Sequence, residues 1–278
     1  MEVIKMKNIE FVKLTHTKSI STTKNYCFLN CKHCNKHYLK NMKSVDEIEE
    51  LAKEGIKSFL ISGGMNSNIE VPIIPFYEKL KYLKNKYNLR YNIHTGIVEN
   101  SYEYLSKLRD LHDSISFDIV GKEEAYKNVY GNNFYKEMIS SFDTLISENF
   151  NVKPHITLGL NGGKIEHEFN SLNILKKNAN KIKNVIFIVF IPTKDTFFEN
   201  KKPPNLKEIE DIFKTFKKEM PNTNLTLGCM QPKGFYRKEL QVMSLKYLDK
   251  ITQPLQHTIK LAEENNYKIE YSSECCAL

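Results

Sequence analysis

Cys27-Phe28-Leu29-Asn30-Cys31-Lys32-His33-Cys34 places three cysteines at the spacing C-x3-C-x2-C near the start of a 278-residue chain. Three thiolates on one short loop can ligate three irons of a [4Fe–4S] cube. The fourth iron then lacks a protein ligand and is open to an exogenous one, which a cluster needs for chemistry rather than electron storage. Two other readings are open on these residues alone. Zinc takes mixed Cys/His sets, and His33 or His37 would complete one. A disulfide with a leftover thiol is the other.

Outward from the loop, strand and helix patterns alternate along the chain. Residues 1–15 read as a lead-in and Ser19–Thr23 as the first strand, with the cysteine loop directly after it. Ser44-Val45-Asp46-Glu47 reads as a capping box opening a helix, and Gly55 closes it. Further strands are expected at Lys57–Ser62, Leu89–His94, Ser114–Ile119, Val152–Leu160, Val185–Ile191, Asn224–Gly228 and Tyr267–Tyr271, with helices between them. Two helical stretches, Arg237–Leu248 and Gln253–Asn265, precede the last. Such alternation predicts βαβ units and a parallel α/β fold: a (β/α)8 or near-complete barrel in one domain spanning residues 1–278. A six-stranded partial barrel, with residues 224–278 as an extension, is the alternative.

Composition narrows the function. The 41 Lys and Arg exceed the 33 Asp and Glu, but they are scattered over helix faces and form no basic block, so nucleic acid is not the expected partner. The longest apolar run, Val185 to Ile191, is too short for a membrane span. Met1-Glu2-Val3-Ile4-Lys5 does not read as a signal peptide, so six cysteines point to a reducing cytoplasm and to metal or redox use.

The cysteine spacing resembles that of the radical S-adenosylmethionine (SAM) enzymes. The resemblance implies a TIM-like barrel, a [4Fe–4S] cluster on Cys27, Cys31 and Cys34, SAM chelated to the open iron, and a 5′-deoxyadenosyl radical. In α/β barrels chemistry gathers on the loops after the strands, and the other candidates fall there. Ser62-Gly63-Gly64-Met65 is similar to the family's Gly-Gly-Glu motif, with Met65 in place of the acid, so only the backbone role toward SAM carries over. His33 stands where the family usually has an aromatic residue against adenine. His94, Thr95 and Asp118 would contact SAM's ribose or carboxylate, or the substrate; a buried, satisfied histidine is the plainer reading of His94. Thr157, Gly159 and the neighbouring His155 follow or end the fifth strand, where the family often binds SAM, and Pro192 follows the sixth, near adenine.

Cys229 follows the seventh expected strand, and Cys275 and Cys276 follow the eighth. Neighbouring strands would bring all three to one rim, where they suit a second iron–sulfur cluster; its fourth iron would be left open or be taken by Ser272, Ser273 or Arg237. The plainer reading is ordinary buried cysteines and a frayed tail. Tyr26–Leu39, Leu227–Arg237 and Glu274–Leu278 resemble the biotin-synthase-related group that includes a component of the archaeal-type two-component lipoyl synthase. That likeness implies sulfur insertion into an octanoylated carrier protein or peptide, an electron donor such as ferredoxin, and a second synthase component. Lys233 and Arg237 would steer the acidic carrier. The tail cysteines depart from ordinary lipoyl synthase, whose auxiliary cysteines lie near the N-terminus. Two competing readings are a radical SAM enzyme whose second cluster is not consumed and which acts on a small molecule, and a zinc or electron-transfer barrel without SAM chemistry.

Overall fold

Side chains alternate between the two faces of a strand, and here the alternation builds an unusual barrel interior. In the computed structural model, which describes residues 7–278, the strands are β1 (Asn8–Val12), β2 (Thr17–Ser21), β3 (Lys43–Ser44), β4 (Ser58–Ser62), β5 (Arg90–His94), β6 (Ser114–Asp118), β7 (Val152–Leu158), β8 (Asn184–Val189), β9 (Asn224–Leu227), β10 (Lys250–Thr252) and β11 (Lys268–Ser272). They form one sheet in the order β11-β1-β10-β9-β8-β7-β6-β5-β4-β2-β3, and every ladder is parallel.

The ring closes through the chain itself. β1 pairs with β10 and β2 pairs with β4, and only residues 13–16 separate β1 from β2. The Gln253 amide donates to Val12 O on one side of this link, and Lys57 and Ser58 donate to His16 O on the other. The first barrel strand is thus a bent pair, β1 below and β2 above. Eight strands, β2 and β4–β10, surround a lumen, as the expected parallel barrel requires.

Outside the ring, helices bury apolar stripes against it. In α7 (Leu206–Glu219), Ile209, Ile212, Phe213 and Phe216 recur at helical spacing and are fully buried. The Asn205 side chain caps that helix by accepting from the Lys207 amide (2.8 Å). On β7, Val152, Ile156 and Leu158 join this outer core, while Lys153, His155 and Thr157 point the other way, half-buried. The lumen face is polar on most strands. Ser114 and Ser116 donate to Asn92 Oδ1 (3.1 and 2.9 Å), Thr226 donates to Asn184 Oδ1 (2.8 Å), and the Thr17 and Ser58 hydroxyls meet at 2.6 Å. A structural barrel is filled with branched apolar side chains; this lining suits a chamber for a polar guest.

Several expectations need correction. Asn8–Val12 is a strand rather than a lead-in, and the strand expected at Ser19–Thr23 lies at Thr17–Ser21. Between β6 and β7 the chain holds a helix at Glu123–Tyr130 ahead of a second one at Tyr135–Ser147. The eighth barrel strand is β10, three residues lodged between the two helical stretches, α8 (Phe235–Ser244) and α9 (Gln256–Glu264). Lys-Ile-Thr is too short to raise an apolar-run signal. The strand expected to be eighth is β11, which pairs only with β1.

That reassignment moves the tail. Beyond β11 the chain turns under the ring: Thr15 and His16 donate to Ser273 O, and Arg90, at the lower end of β5, holds Glu274 (2.6 Å) and Leu278 O (3.1 Å). Asn184, opening β8, donates to Cys276 O (3.3 Å). Cys276 and Ala277 are buried against Val12 and Ile186. The C-terminus therefore closes the floor of the lumen and does not sit on the upper rim. No helix among the described residues is long and apolar enough to cross a membrane.

Candidate functional site

The three N-terminal thiols sit on the loop after β2, all half-buried. Two backbone features hold the loop. The Gly64 amide donates to Thr23 Oγ1 (2.7 Å), and the Met65 amide donates to Cys27 Sγ (3.3 Å) while Met65 O accepts from the Phe28 amide (2.7 Å). A Cβ on Gly64 would lie 1.9 Å from Tyr26 O and 2.6 Å from Cys27 Cβ. Gly64 is therefore needed so that the loop after β4 can lie against the cysteine loop. Gly64→Ala should displace Cys27 and cut the iron bound after anaerobic reconstitution to a minor fraction of wild type, measured by iron and sulfide assay; a full complement in the variant would remove this role. Gly63 faces Thr22, whose Oγ1 would stand 2.8 Å from an added Cβ.

The thiols burden one another. Burial pushes the Cys31 thiol up, and nearby Cys34 and Cys27 push it further; burial also raises Cys34. A cationic group bound among them would relieve this. Two buried polar atoms beside the loop, Thr22 Oγ1 and His33 Nδ1, have no hydrogen-bond partner. Both observations fit a bound iron–sulfur cluster with its ligand. Among the described residues no three His, Cys, Asp or Glu stand at single-ion spacing.

Beneath the loop, β5 and β6 end in His94 and Asp118, whose Nε2 and Oδ2 lie 3.3 Å apart. Burial alone would raise the Asp118 carboxyl, but His94, with His155 and His33 further off, holds it down to about 2. Burial likewise opposes charge on His94, and Asp118 outweighs it, so the imidazole is raised. Ser62 Oγ lies 3.4 Å from His94 Nδ1, and the His155 ring bonds Lys153 O through Nδ1 (2.9 Å). His33 is lowered to about 4 by burial and stands edge-on to Tyr130. A small cleft of about 50 Å3 opens beside the pair, walled by Leu29, Met65, Ile97, Tyr126 and Met138. A histidine–carboxylate pair under an apolar cleft can hold a hydroxyl, a carboxylate or an amine of a guest.

Other candidates lie elsewhere. Thr95 is fully buried and its hydroxyl donates to Gly96 O (3.0 Å), so it is spent on its own loop. The Gly159 amide donates to Glu168 Oε1 (2.7 Å), and a Cβ there would meet Pro204. Glu168, which the sequence reading missed, is fully buried and also accepts from the amides of Glu166 and His167, pinning the loop after β7. Thr157 keeps its place on the lumen face, with its carbonyl 3.1 Å from His167 Nε2. Pro192 is half-buried after β8, in a loop that reaches the cysteine loop through Thr193 and Tyr38 (3.2 Å).

The remaining cysteines form a second group. Asn92 Nδ2 donates to Cys275 Sγ (3.4 Å) from the lumen face of β5. Cys276 bonds Cys275 and is pushed up by that bond, by burial and by the nearness of Cys275 and Cys229. Cys229, after β9, is reachable by solvent yet densely walled, which pushes its thiol up to about 11, and Cys275 adds to the rise. Cys229 thus lies within electrostatic reach of the hydrogen-bonded tail pair, approaching from above while the pair comes from below, rather than all three sharing one rim. Of the expected fourth ligands, Ser272 donates to Glu10 (2.5 Å), Ser273 is engaged through its carbonyl, and Arg237 is tied to Gln231 (3.2 Å) and Gln253 O (2.6 Å). Arg237 is held in place by these neutral acceptors and keeps its charge; Lys233 is exposed.

Comparison with known proteins agrees with this geometry. The chain superimposes on methylornithine synthase (PylB) with a TM-score of 0.66 at 15% identity, covering 95% of this chain and 84% of that one. It superimposes on the FeFe-hydrogenase maturase HydG from Carboxydothermus hydrogenoformans with a TM-score of 0.67 at 13% identity, covering 95% and 68%. A third structure, anSMEcpe with bound AdoMet, gives 0.54 at 14% identity over 74% of this chain and 62% of that one. No curated protein matches by sequence. The family description Radical SAM superfamily matches residues 22–170, more than half the chain, from just before the cysteine loop to the loop pinned by Glu168. With its parallel barrel, its C-x3-C-x2-C loop and this match, the chain belongs to the radical SAM superfamily.

Proposed function

We propose that Cys27, Cys31 and Cys34 hold the [4Fe–4S] cluster that the family implies and that a substrate inside the barrel loses hydrogen to the radical derived from SAM. When bound, the cluster supplies the electron that splits SAM to methionine and the 5′-deoxyadenosyl radical. The single loop that carries all three thiols, fixed against Gly64 and Met65, is the observation that carries this reading. The chain's own part is placement. Gly64 and Met65 hold the loop, Met65 and His33 flank the guest, and His94 with Asp118 receives its polar groups. Ser62 orients His94, and the floor and walls keep water from the radical. Thr157 and Pro192 are the further SAM contacts. Anaerobically reconstituted protein given dithionite and SAM should form 5′-deoxyadenosine, and its EPR signal should change on adding SAM. A cluster spectrum indifferent to SAM would overturn the reading and leave an electron-transfer barrel.

Within this reading, Cys229, Cys275 and Cys276 hold a second cluster, supported by the nearness of Cys229 to the tail pair, with Asn92 as a hydrogen-bond donor. Sulfur insertion on an octanoylated carrier, with a ferredoxin-type donor and a second synthase component, is one use of such a cluster. A non-sacrificial second cluster acting on a small polar molecule is the other. The Ser-, Asn- and Thr-lined lumen favours the latter, because an eight-carbon chain gains nothing from such walls.

A further inference from the structure

We propose that Lys153, on the lumen face of β7, is the receptor for the carboxylate of a small substrate held inside the barrel; this rests on the reading that the lumen is the reaction chamber. The side chain shares its face with His155 and Thr157. Its charged neighbour is another cation, Lys250 on β10. β7 and β10 are three strands apart in the sheet, so the two ammonium groups sense each other across the lumen.

The two lysines differ in one respect. Lys250 is neutralised by Glu10 at 2.9 Å. Among the described residues Lys153 Nζ has neither an ion pair nor a hydrogen bond, whereas half-buried Lys7 spends its ammonium on Leu245 O (2.7 Å). Burial, with Lys250 adding to it, disfavours charge on Lys153. A half-buried cation with no acid of its own beside it is costly, and an anion from outside the chain removes that cost.

The rest of the lumen says which anion. Asp118, the acid nearest above, is already matched to His94. Arg90, whose planar fork would suit a phosphate, is held by Glu274 and Leu278. One ammonium and no helix N-terminus or arginine fork suits a monoanionic carboxylate rather than a phosphate dianion. Lys153 stands two residues below His155, which pairs in register with Asp118. Two residues rise about 6.6 Å along a strand. A molecule a few carbons long, with its carboxylate on Lys153, therefore reaches the His94–Asp118 pair and lies under the cysteine loop.

The test reads binding, not turnover, so its outcome is separable from that of the radical reading. Full-length reconstituted protein with SAM and no reductant is titrated with butyrate, hexanoate, glutamate and 6-aminohexanoate, with the matching primary amides and with propyl phosphate. Thermal shift and calorimetry report binding. A carboxylate should bind and its amide should not, and Lys153→Gln should weaken the best carboxylate about tenfold or more, the share of a charge-assisted hydrogen bond. Lys153→Arg should restore part of the affinity. Lys153→Met, isosteric in the stem, serves if the glutamine variant fails to fold. Equal binding to wild type and variant, equal binding of acid and amide, tighter binding of the phosphate, or no binding of any carboxylate each overturns the proposal.

Discussion

Replacing Cys27, Cys31 and Cys34 together by alanine is expected to abolish 5′-deoxyadenosine formation under strong reductant and to remove the SAM-responsive EPR signal. The magnitude follows from the chemistry: without the thiolates no iron is held where SAM must be chelated, and side chains cannot supply the electron. Loss should be complete rather than graded. The fold should survive, because the three side chains are half-buried on a loop and lie outside the main apolar cluster. Circular dichroism and thermal midpoint separate this outcome from unfolding. Iron remaining on the tail cysteines is compatible with it, but SAM cleavage by a well-folded triple variant would show that the loop does not hold the catalytic cluster.

The barrel and the superfamily were legible in the sequence because their signals are local. A strand ending in Gly-Gly, a capping box at Ser44, where the amide does bond Glu47 (2.7 Å), and three cysteines on eight residues need no tertiary knowledge. What was missed is non-local. β10 is three residues long and exists because β9 and β1 flank it. Glu168 carries no local signal of its role, yet three amides turn inward to meet it. Thr95 was placed correctly at a strand end, but period-two alternation turns it away from the lumen that His94 enters. Gly64 was read as a backbone contact for SAM, and the near neighbour of its missing Cβ is instead the cysteine loop. The narrower likeness to a lipoyl-synthase component rests on sequence segments alone.

Serine in place of Cys275 and Cys276 is expected to halve the iron of the reconstituted protein, from about eight to about four per chain by the four-iron arithmetic of a cube, and to abolish product. The half that remains should be the half whose EPR signal responds to SAM. Substitution is a better test than truncation after Ser273. The tail is part of the floor: Cys276 and Ala277 are buried, and Glu274 and Leu278 are both held by Arg90. Deleting it would open the lumen and confound cluster loss with collapse of the chamber. Serine keeps the size and a polar head, and leaves Asn92 and Asn184 with partners. Cys229→Ser should act in the same direction, since its thiol is raised by Cys275 across the same space. The uses of the second cluster then separate by sulfide count in wild type: a consumed cluster loses sulfide with each turnover, and a non-sacrificial one keeps it. Serine variants that retain the full iron complement would mean that the tail cysteines only pack the floor of the barrel, and sulfur insertion would fall with the second cluster.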